Sequence, residues 1–309
     1  MPGRERVASR TAVLVCQGRA AADGRHATDR FADPVAVRLL REAERAVVDQ
    51  VRAGTPPQGW QARLAYEGVR ACAEVVVPRT VAVDEALRAR VTGQLVILGA
   101  GLDTRAWRLS ALARTAVWEV DQPASQQDKR ARLAEAVRHD GGGRGDGAPA
   151  GGGDAQPPLA ARSVRFTPVD LAVDDLGAAL DAAGHDPSAP TTWLWEGVVP
   201  YLTRAQVGAT LAALAARTAP GSALVVTYQA PSPRATLGRL LTRLLGGSLT
   251  SGEPWRSLWR PPRMAALLAE HGMRVVSDDS LLDIARTLDG PAPKGSALRT
   301  GRVLVAERR

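Results

Sequence analysis

The chain has 309 residues, 45% of them apolar, and a net charge of +8, enough for one large domain or a domain with a cap. It lacks both the run of about 18 apolar residues that a membrane span needs and a signal-peptide core at its start, and its two cysteines, Cys16 and Cys72, suit neither a disulfide framework nor a Cys/His metal site. The expectation is a soluble, cytoplasmic chain without metal, whose basicity reflects an arginine-rich composition (lysine only at Lys129 and Lys294) and favours small anionic partners over nucleic acid.

Residues 1–90 read as helical, with apolar positions at helical spacing in 35–40 and 81–91 and a break at Gly54-Thr55-Pro56-Pro57. The first convincing strand is Gln94 to Leu98, a short apolar run ending in glycine. A helical stretch around 105–113 leads to a second strand at 116–120, which completes a strand–helix–strand unit. Strands follow at 163–166, 192–195 and 222–228, separated by helical patterns at 176–183 and 204–217. The tail adds a helix near 263–271 and strands at 274–277 and 302–306. This alternation predicts a doubly wound, mostly parallel α/β sheet. Only the tract 141–158 interrupts it. Its Gly/Pro/Ala content offers nothing to bury, so a disordered loop is expected, and the Arg144-Gly145-Asp146 triplet inside it is read as chance.

The strongest local signal is Leu98-Gly99-Ala100-Gly101-Leu102-Asp103-Thr104-Arg105, which leaves the first strand and enters a helix. Glycines there permit a tight turn and a close backbone approach, at the strand ends where open α/β sheets bind ligands. Thr104 replaces the third glycine of the dinucleotide pattern, which argues against a nicotinamide or flavin. Asp121 ends the second strand twenty residues beyond Gly101, where an acid contacts a ribose in such folds. Its alternative reading is a cap of the following helix, since Pro123 suits a first helical turn.

Taken together, these residues resemble the leucine carboxyl methyltransferase family, including its bacterial members of secondary metabolism. The resemblance spans nearly the whole chain: Arg10-Thr11-Ala12, Phe31-Ala32-Asp33-Pro34, Pro78-Arg79-Thr80, the glycine loop, Glu119-Val120-Asp121-Gln122-Pro123, Val169-Asp170-Leu171, Trp195 to Leu202, and Gly252-Glu253-Pro254-Trp255-Arg256. It implies a single Rossmann-like class I methyltransferase domain over 1–309, with a helical cap at 1–90, a core at 91–309 and an antiparallel C-terminal strand. It also implies S-adenosyl-L-methionine as cofactor. On that resemblance Gly99, Ala100 and Gly101 pass beneath the methionine part, Asp121 with Gln122 meets the ribose, and Asp170 and Leu171 frame the adenine. Arg79 would pair with the methionine carboxylate, a contact suited to guanidinium geometry, and Glu196 would face its ammonium. Read alone, Arg79 is equally a surface charge and Glu196 a helix-start residue.

The acceptor implied is a carboxylate on a small molecule or peptide, giving a methyl ester. A carboxylate, with pKa near 4, needs no general base at neutral pH, and no catalytic residue is assigned: His185 is read in a turn before Asp186-Pro187 and His271 near a helix end. Acceptor contacts are expected from Tyr201, Trp255 and Arg256, with the segment 237–263 covering the site. Trp255 and Trp259, one helical turn apart, either line the pocket or pack in the core. A hydroxyl or amine acceptor, or a cofactor- or RNA-binding protein without catalysis, stays open on sequence grounds, as does the oligomeric state.

Overall fold

The computed structural model describes residues 9–141, 157–231, 255–289 and 296–308. Helices α1 (Arg10–Ala22), α2 (Glu42–Ala53) and α3 (Trp60–Ala89) precede the first strand, with a 3-10 turn at Ala36–Leu39. Gly54 ends α2 in the left-handed conformation, φ 65°, as glycine does at helix C-termini. This is the break predicted at the Gly-Thr-Pro-Pro stretch. The helical spacing at 35–40 corresponds only to the 3-10 turn, because Pro34 and the short path to α2 leave no room for a longer helix.

The core follows as β1 (Gln94–Leu98), α4 (Arg105–Arg108), β2 (Ala116–Asp121), α5 (Pro123–Gly141), β3 (Ser163–Pro168), α6 (Leu176–Ala182), β4 (Thr191–Trp195), α7 (Arg204–Ala215) and β5 (Ala223–Gln229). Then come α8 (Pro261–Glu270), β6 (Arg274–Ser280), α9 (Leu281–Arg286), α10 (Ser296–Thr300) and β7 (Gly301–Glu307). The sheet order is β3-β2-β1-β4-β5-β7-β6. β1 to β5 pair in parallel, and β7 enters antiparallel between β5 and β6. The helix expected over 105–113 is one turn of α-helix followed by a 3-10 turn at Ser110–Leu112. Of the stretch 141–158 expected as a loop, Gly141 belongs to α5, and residues 142–156 lie outside the described ones.

Alternation along the strands builds two cores. Leu95, Ile97, Val117, Leu194, Val225, Val303 and Val305 face the side covered by α1 and α3. Val96, Leu98, Trp118, Val120, Trp193, Trp195, Val226 and Leu304 face α6, α7 and α8 through Leu180, Leu211 and Leu268. Each such side chain, fully removed from water, contributes about 1.5–3 kcal/mol. Because both faces are covered there, the central strands β1, β4 and β5 read as near-continuous apolar runs, unlike the edge strands β3 and β6. The chain winds one way from β1 to β2 and the other way to β4, so a crevice opens at the carboxyl ends of β1 and β4, the place where such sheets take ligands.

Candidate functional site

The turn after β1 depends on its glycines. Gly99 and Gly101 adopt φ 65° and 48°, a region costly for residues with a Cβ, and the N–H groups of Gly99 and Ala100 donate to Val120 O at 2.7 and 3.1 Å. A Cβ on Gly99 would lie 2.1 Å from Val198 Cγ2, and one on Gly101 would lie 3.0 Å from Ala12 Cβ. The close approach expected of a ligand is thus made by protein: the turn after β4 packs on Gly99, and α1 packs on Gly101. Asp121 ties the loop from below, Oδ2 accepting from Gly101 N–H at 2.6 Å and Oδ1 from Gln122 N–H at 2.7 Å. Burial raises the Asp121 pKa above the ordinary aspartate value, against the pull of those two N–H groups. Each oxygen accepts one of these backbone bonds, and a carboxylate oxygen has a second lone-pair site for a further donor.

Beside this turn lies a buried charge cluster. Arg79 Nε, on α3, is 2.7 Å from Glu196 Oε1, one residue past β4, and Arg105 Nη1 is 2.8 Å from Glu196 Oε2. Arg105 also pairs with Asp103 and, at 2.7 Å, with Asp84 Oδ1 of α3. Arg108 reaches the other Asp84 oxygen at 2.6 Å. Arg19 of α1 pairs with Asp33 at 2.8 Å and donates to Leu102 O at 2.5 Å, and Thr104 Oγ1 donates to Asp33 at 2.7 Å. Arg19, Arg79, Arg105 and Arg108 thus face Asp33, Asp84, Asp103 and Glu196, and the cluster is neutral. Such a balance is what makes buried charge tolerable, because each ion loses water and must find a partner. Burial opposes ionisation of Glu196, but Arg105 and Arg79 outweigh it and hold its pKa below the ordinary glutamate value. Asp103 is pushed down to about 2, burial being overcome by Arg105, Lys129 and Arg19.

The structure brings Arg79, Gly99, Ala100, Gly101, Asp121, Gln122 and Glu196 to the carboxyl end of the sheet. Asp170 and Leu171 join them from the end of β3, whose exit is fixed by Val169 N–H donating to Asp121 O at 2.8 Å. Asp170 is buried, accepts from Ala172 N–H at 3.0 Å, and its own N–H donates to Asp174. Tyr201 is half-buried in the 3-10 turn Val199–Tyr201. Onto that turn the stretch from Trp255 is laid: Arg256 and Ser257 N–H donate to Pro200 O at 2.6 and 3.2 Å, and Ser257 Oγ donates to Val199 O at 3.0 Å. The two tryptophans separate. Trp259 is 7% exposed and donates to Ser257 Oγ, whereas Trp255 is 41% exposed. Trp259 therefore packs, and of the pair only Trp255 faces outward. Residues 237–254 of the expected covering segment, with Gly252-Glu253-Pro254, lie outside the described residues.

His185 sits at the opposite, amino end of the strands, beside the start of β4, where Nε2 meets Thr191 Oγ1 at 3.0 Å and the ring packs on Trp118 and Trp193. Burial, helped by Arg217, pushes its pKa down to about 4. It is a core residue and cannot reach a reacting group at the crevice. Sequence reasoning left Asp84, Arg19 and Lys129 unassigned and gave Asp33, Asp103 and Arg105 no role, although these last three stand in the quoted motifs. Asp33, Asp103 and Arg105 stand at turn or helix starts among small and apolar residues, which was the available signal, whereas Arg19, Asp84 and Lys129 lie within α1, α3 and α5.

A family model described as leucine carboxyl methyltransferase matches residues 12–215. A protein of Mycolicibacterium paratuberculosis, named provisionally as an S-adenosyl-L-methionine-dependent methyltransferase, is 38% identical over 218 residues, 68% of this chain and 61% of that protein. A Frankia alni protein named in the same way is 36% identical over 208 residues, 65% of this chain and 62% of its own length. The chain thus spans about three fifths of these relatives. Among solved structures, a DUF574 family protein of Streptomyces avermitilis superposes with TM-score 0.55 at 14% identity, covering 99% of this chain and 100% of that one. A Thermobifida fusca protein named provisionally as a methyltransferase gives 0.51 at 17% identity, covering 94% of each. At these identities the two structures share the fold: a Rossmann-like sheet with an antiparallel C-terminal strand.

Proposed function

The chain belongs to the leucine carboxyl methyltransferase family, and from that premise we propose that it is an S-adenosyl-L-methionine-dependent O-methyltransferase working as one domain, with the helices before β1 as a cap. The observation that carries the reading is the donor set at the switch point. A zwitterion, a diol and an exocyclic amine are the recognisable groups of this cofactor, and the crevice offers an arginine–glutamate pair and two carboxylates in that order along the carboxyl end of the sheet. Arg79 would take the methionine carboxylate and Glu196 its ammonium. Asp121, with Gln122 beside it, would accept from the ribose hydroxyls, while Asp170 would accept from the adenine amino group and Leu171 contribute main chain and apolar contact. Gly99, Ala100 and Gly101 would form the floor.

When bound, the cofactor supplies a methyl group on a sulfonium, which an acceptor takes in line while the carbon–sulfur bond breaks and its electron pair stays on sulfur. The work left to the chain is to position the acceptor about 3 Å from that carbon and to exclude water. A carboxylate acceptor suits this best: it is ionised at neutral pH without a base, and the described residues at the crevice offer acids and arginines but no free histidine. Tyr201, Trp255 and Arg256 would meet the acceptor, Arg256 orienting its charge by one contact. A cluster of arginines would instead stabilise the ground state and slow transfer. A role in secondary metabolism fits the bacterial relatives, and a cytoplasmic location fits the need for the cofactor.

The test is chemical. Incubating the full chain with methyl-labelled cofactor and a panel of small acids, phenols, amines and peptides should label acids, and the products should release methanol in mild base, as esters do. Base-stable products would move the acceptor to a hydroxyl or amine.

A further inference from the structure

Arg105 begins α4, six residues past Gly99, and its side chain is only 2% exposed. It holds three carboxylates at once. Nε donates to Asp84 Oδ1 of α3 at 2.7 Å, Nη1 donates to Glu196 Oε2 beyond β4 at 2.8 Å, and the same nitrogen pairs with Asp103 of the glycine loop. Its main-chain N–H closes the loop on Asp103 Oδ1 at 2.7 Å. These carboxylates come from the three elements that frame the arginine–glutamate pair. Asp84 lies five residues after Arg79 on α3, little more than a turn away, so anchoring Asp84 fixes the level of Arg79.

We propose that Arg105 is a positioning residue for the amino-acid end of the cofactor: it occupies Glu196 Oε2, leaves Oε1 to exchange Arg79 for an ammonium, and locks α3 and the glycine loop at the spacing a zwitterion requires. The inference rests on the reading of Arg79 and Glu196 given above. The geometry favours a guanidinium here, since a planar fork can serve several carboxylates in fixed directions and an ammonium cannot. A purely structural cluster would gain as much from apolar packing. The charges facing Glu196 are Arg105 and Asp103 from the loop, Arg79 from α3 and Arg19 from α1. With Arg105 gone, the largest favourable partner is lost while burial and Asp103 still oppose the charge, so Glu196 takes up a proton more readily.

The experiment measures binding of S-adenosyl-L-homocysteine and of 5′-methylthioadenosine, which keeps the nucleoside and thioether but lacks the amino-acid end. The full chain and its Arg105→Met and Arg105→Lys variants are titrated between pH 6 and 9. Wild type should bind both ligands with little pH dependence. Arg105→Met should lose about tenfold or more for S-adenosyl-L-homocysteine at pH 7, as loss of a charged partner does, and regain affinity as pH rises and Glu196 ionises. Its affinity for 5′-methylthioadenosine should stay within about twofold. Arg105→Lys keeps the charge without the fork and should lose affinity for the first ligand without the pH dependence; it carries the test alone if the Met variant does not fold. Equal loss of both ligands in the variants, or no loss of either, overturns the positioning role. Failure of wild type to bind either ligand overturns the site reading instead.

Discussion

Arg79 Nε lies 2.7 Å from Glu196 Oε1, an ion pair that joins α3 to the end of β4 across 117 residues of sequence. It is the one pair in the buried cluster whose members are both more than a tenth exposed, with side chains 17% and 12% exposed. Glu196 keeps Arg105 when Arg79 turns away, so the pair can open to a zwitterion without leaving a buried carboxylate uncompensated. Arg79→Met should therefore weaken S-adenosyl-L-homocysteine by about tenfold or more while sparing 5′-methylthioadenosine. Calorimetry with the two ligands decides it, and equal effects on both would remove Arg79 from the amino-acid end.

Asp121 bonds the loop and, on the proposed reading, the ribose. Asp121→Ala removes both functions and should cost about 1.5–3 kcal/mol of cofactor binding, the range for a hydrogen bond to a charged group. Asp121→Asn keeps an oxygen for one loop N–H and should fall between. An unchanged dissociation constant in the alanine variant would show that the carboxylate serves the loop alone.

Gly99→Ala meets two obstacles, a left-handed backbone and Val198 Cγ2 at 2.1 Å from the new Cβ. The backbone part costs about 1–2 kcal/mol, and with the clash the melting temperature should fall by about 5 °C or more. The double variant Gly99→Ala/Val198→Ala should recover the clash but not the backbone part. A double variant no better than the single one would mean that Val198 was not the obstacle.

His185 gives a pH dependence. Its folded pKa is pushed down to about 4 from an ordinary value of 6.5, so between those values the unfolded chain binds the extra proton. Stability should fall as pH drops from about 6.5 to about 4. Urea midpoints across this window measure it, and His185→Gln should flatten the slope. A variant with the wild-type slope would assign the acid sensitivity to other groups.

The sheet was legible because buried parallel strands are short apolar runs bounded by glycine or proline, and Gln94 to Leu98 falls where it was read. The glycine turn and Asp121 were legible for a related reason: the backbone there has few chemical alternatives. The separate fates of Trp255 and Trp259 were not, since helical spacing cannot tell a pocket wall from a core position, and the stretch 255–260 proved to be irregular chain, neither helix nor strand, hydrogen-bonded to the Val199–Tyr201 turn. The charge cluster was hidden more deeply. Arg19, Asp33, Asp84 and Arg105 lie far apart in sequence, and each alone reads as a solvated charge. Only the packing of α1 and α3 against the glycine loop brings them together out of water. For the same reason Gly101 signalled a ligand when part of its use is to admit Ala12.

The central claim is that this crevice is built for S-adenosyl-L-methionine and not for a dinucleotide. Calorimetric titration of the full chain with S-adenosyl-L-homocysteine and, separately, with oxidised nicotinamide adenine dinucleotide tests it most directly. The account predicts one S-adenosyl-L-homocysteine per chain with a dissociation constant on the order of micromolar, about −8 kcal/mol, and far weaker binding of the dinucleotide. Absence of binding by S-adenosyl-L-homocysteine, or tighter binding of the dinucleotide, would contradict it.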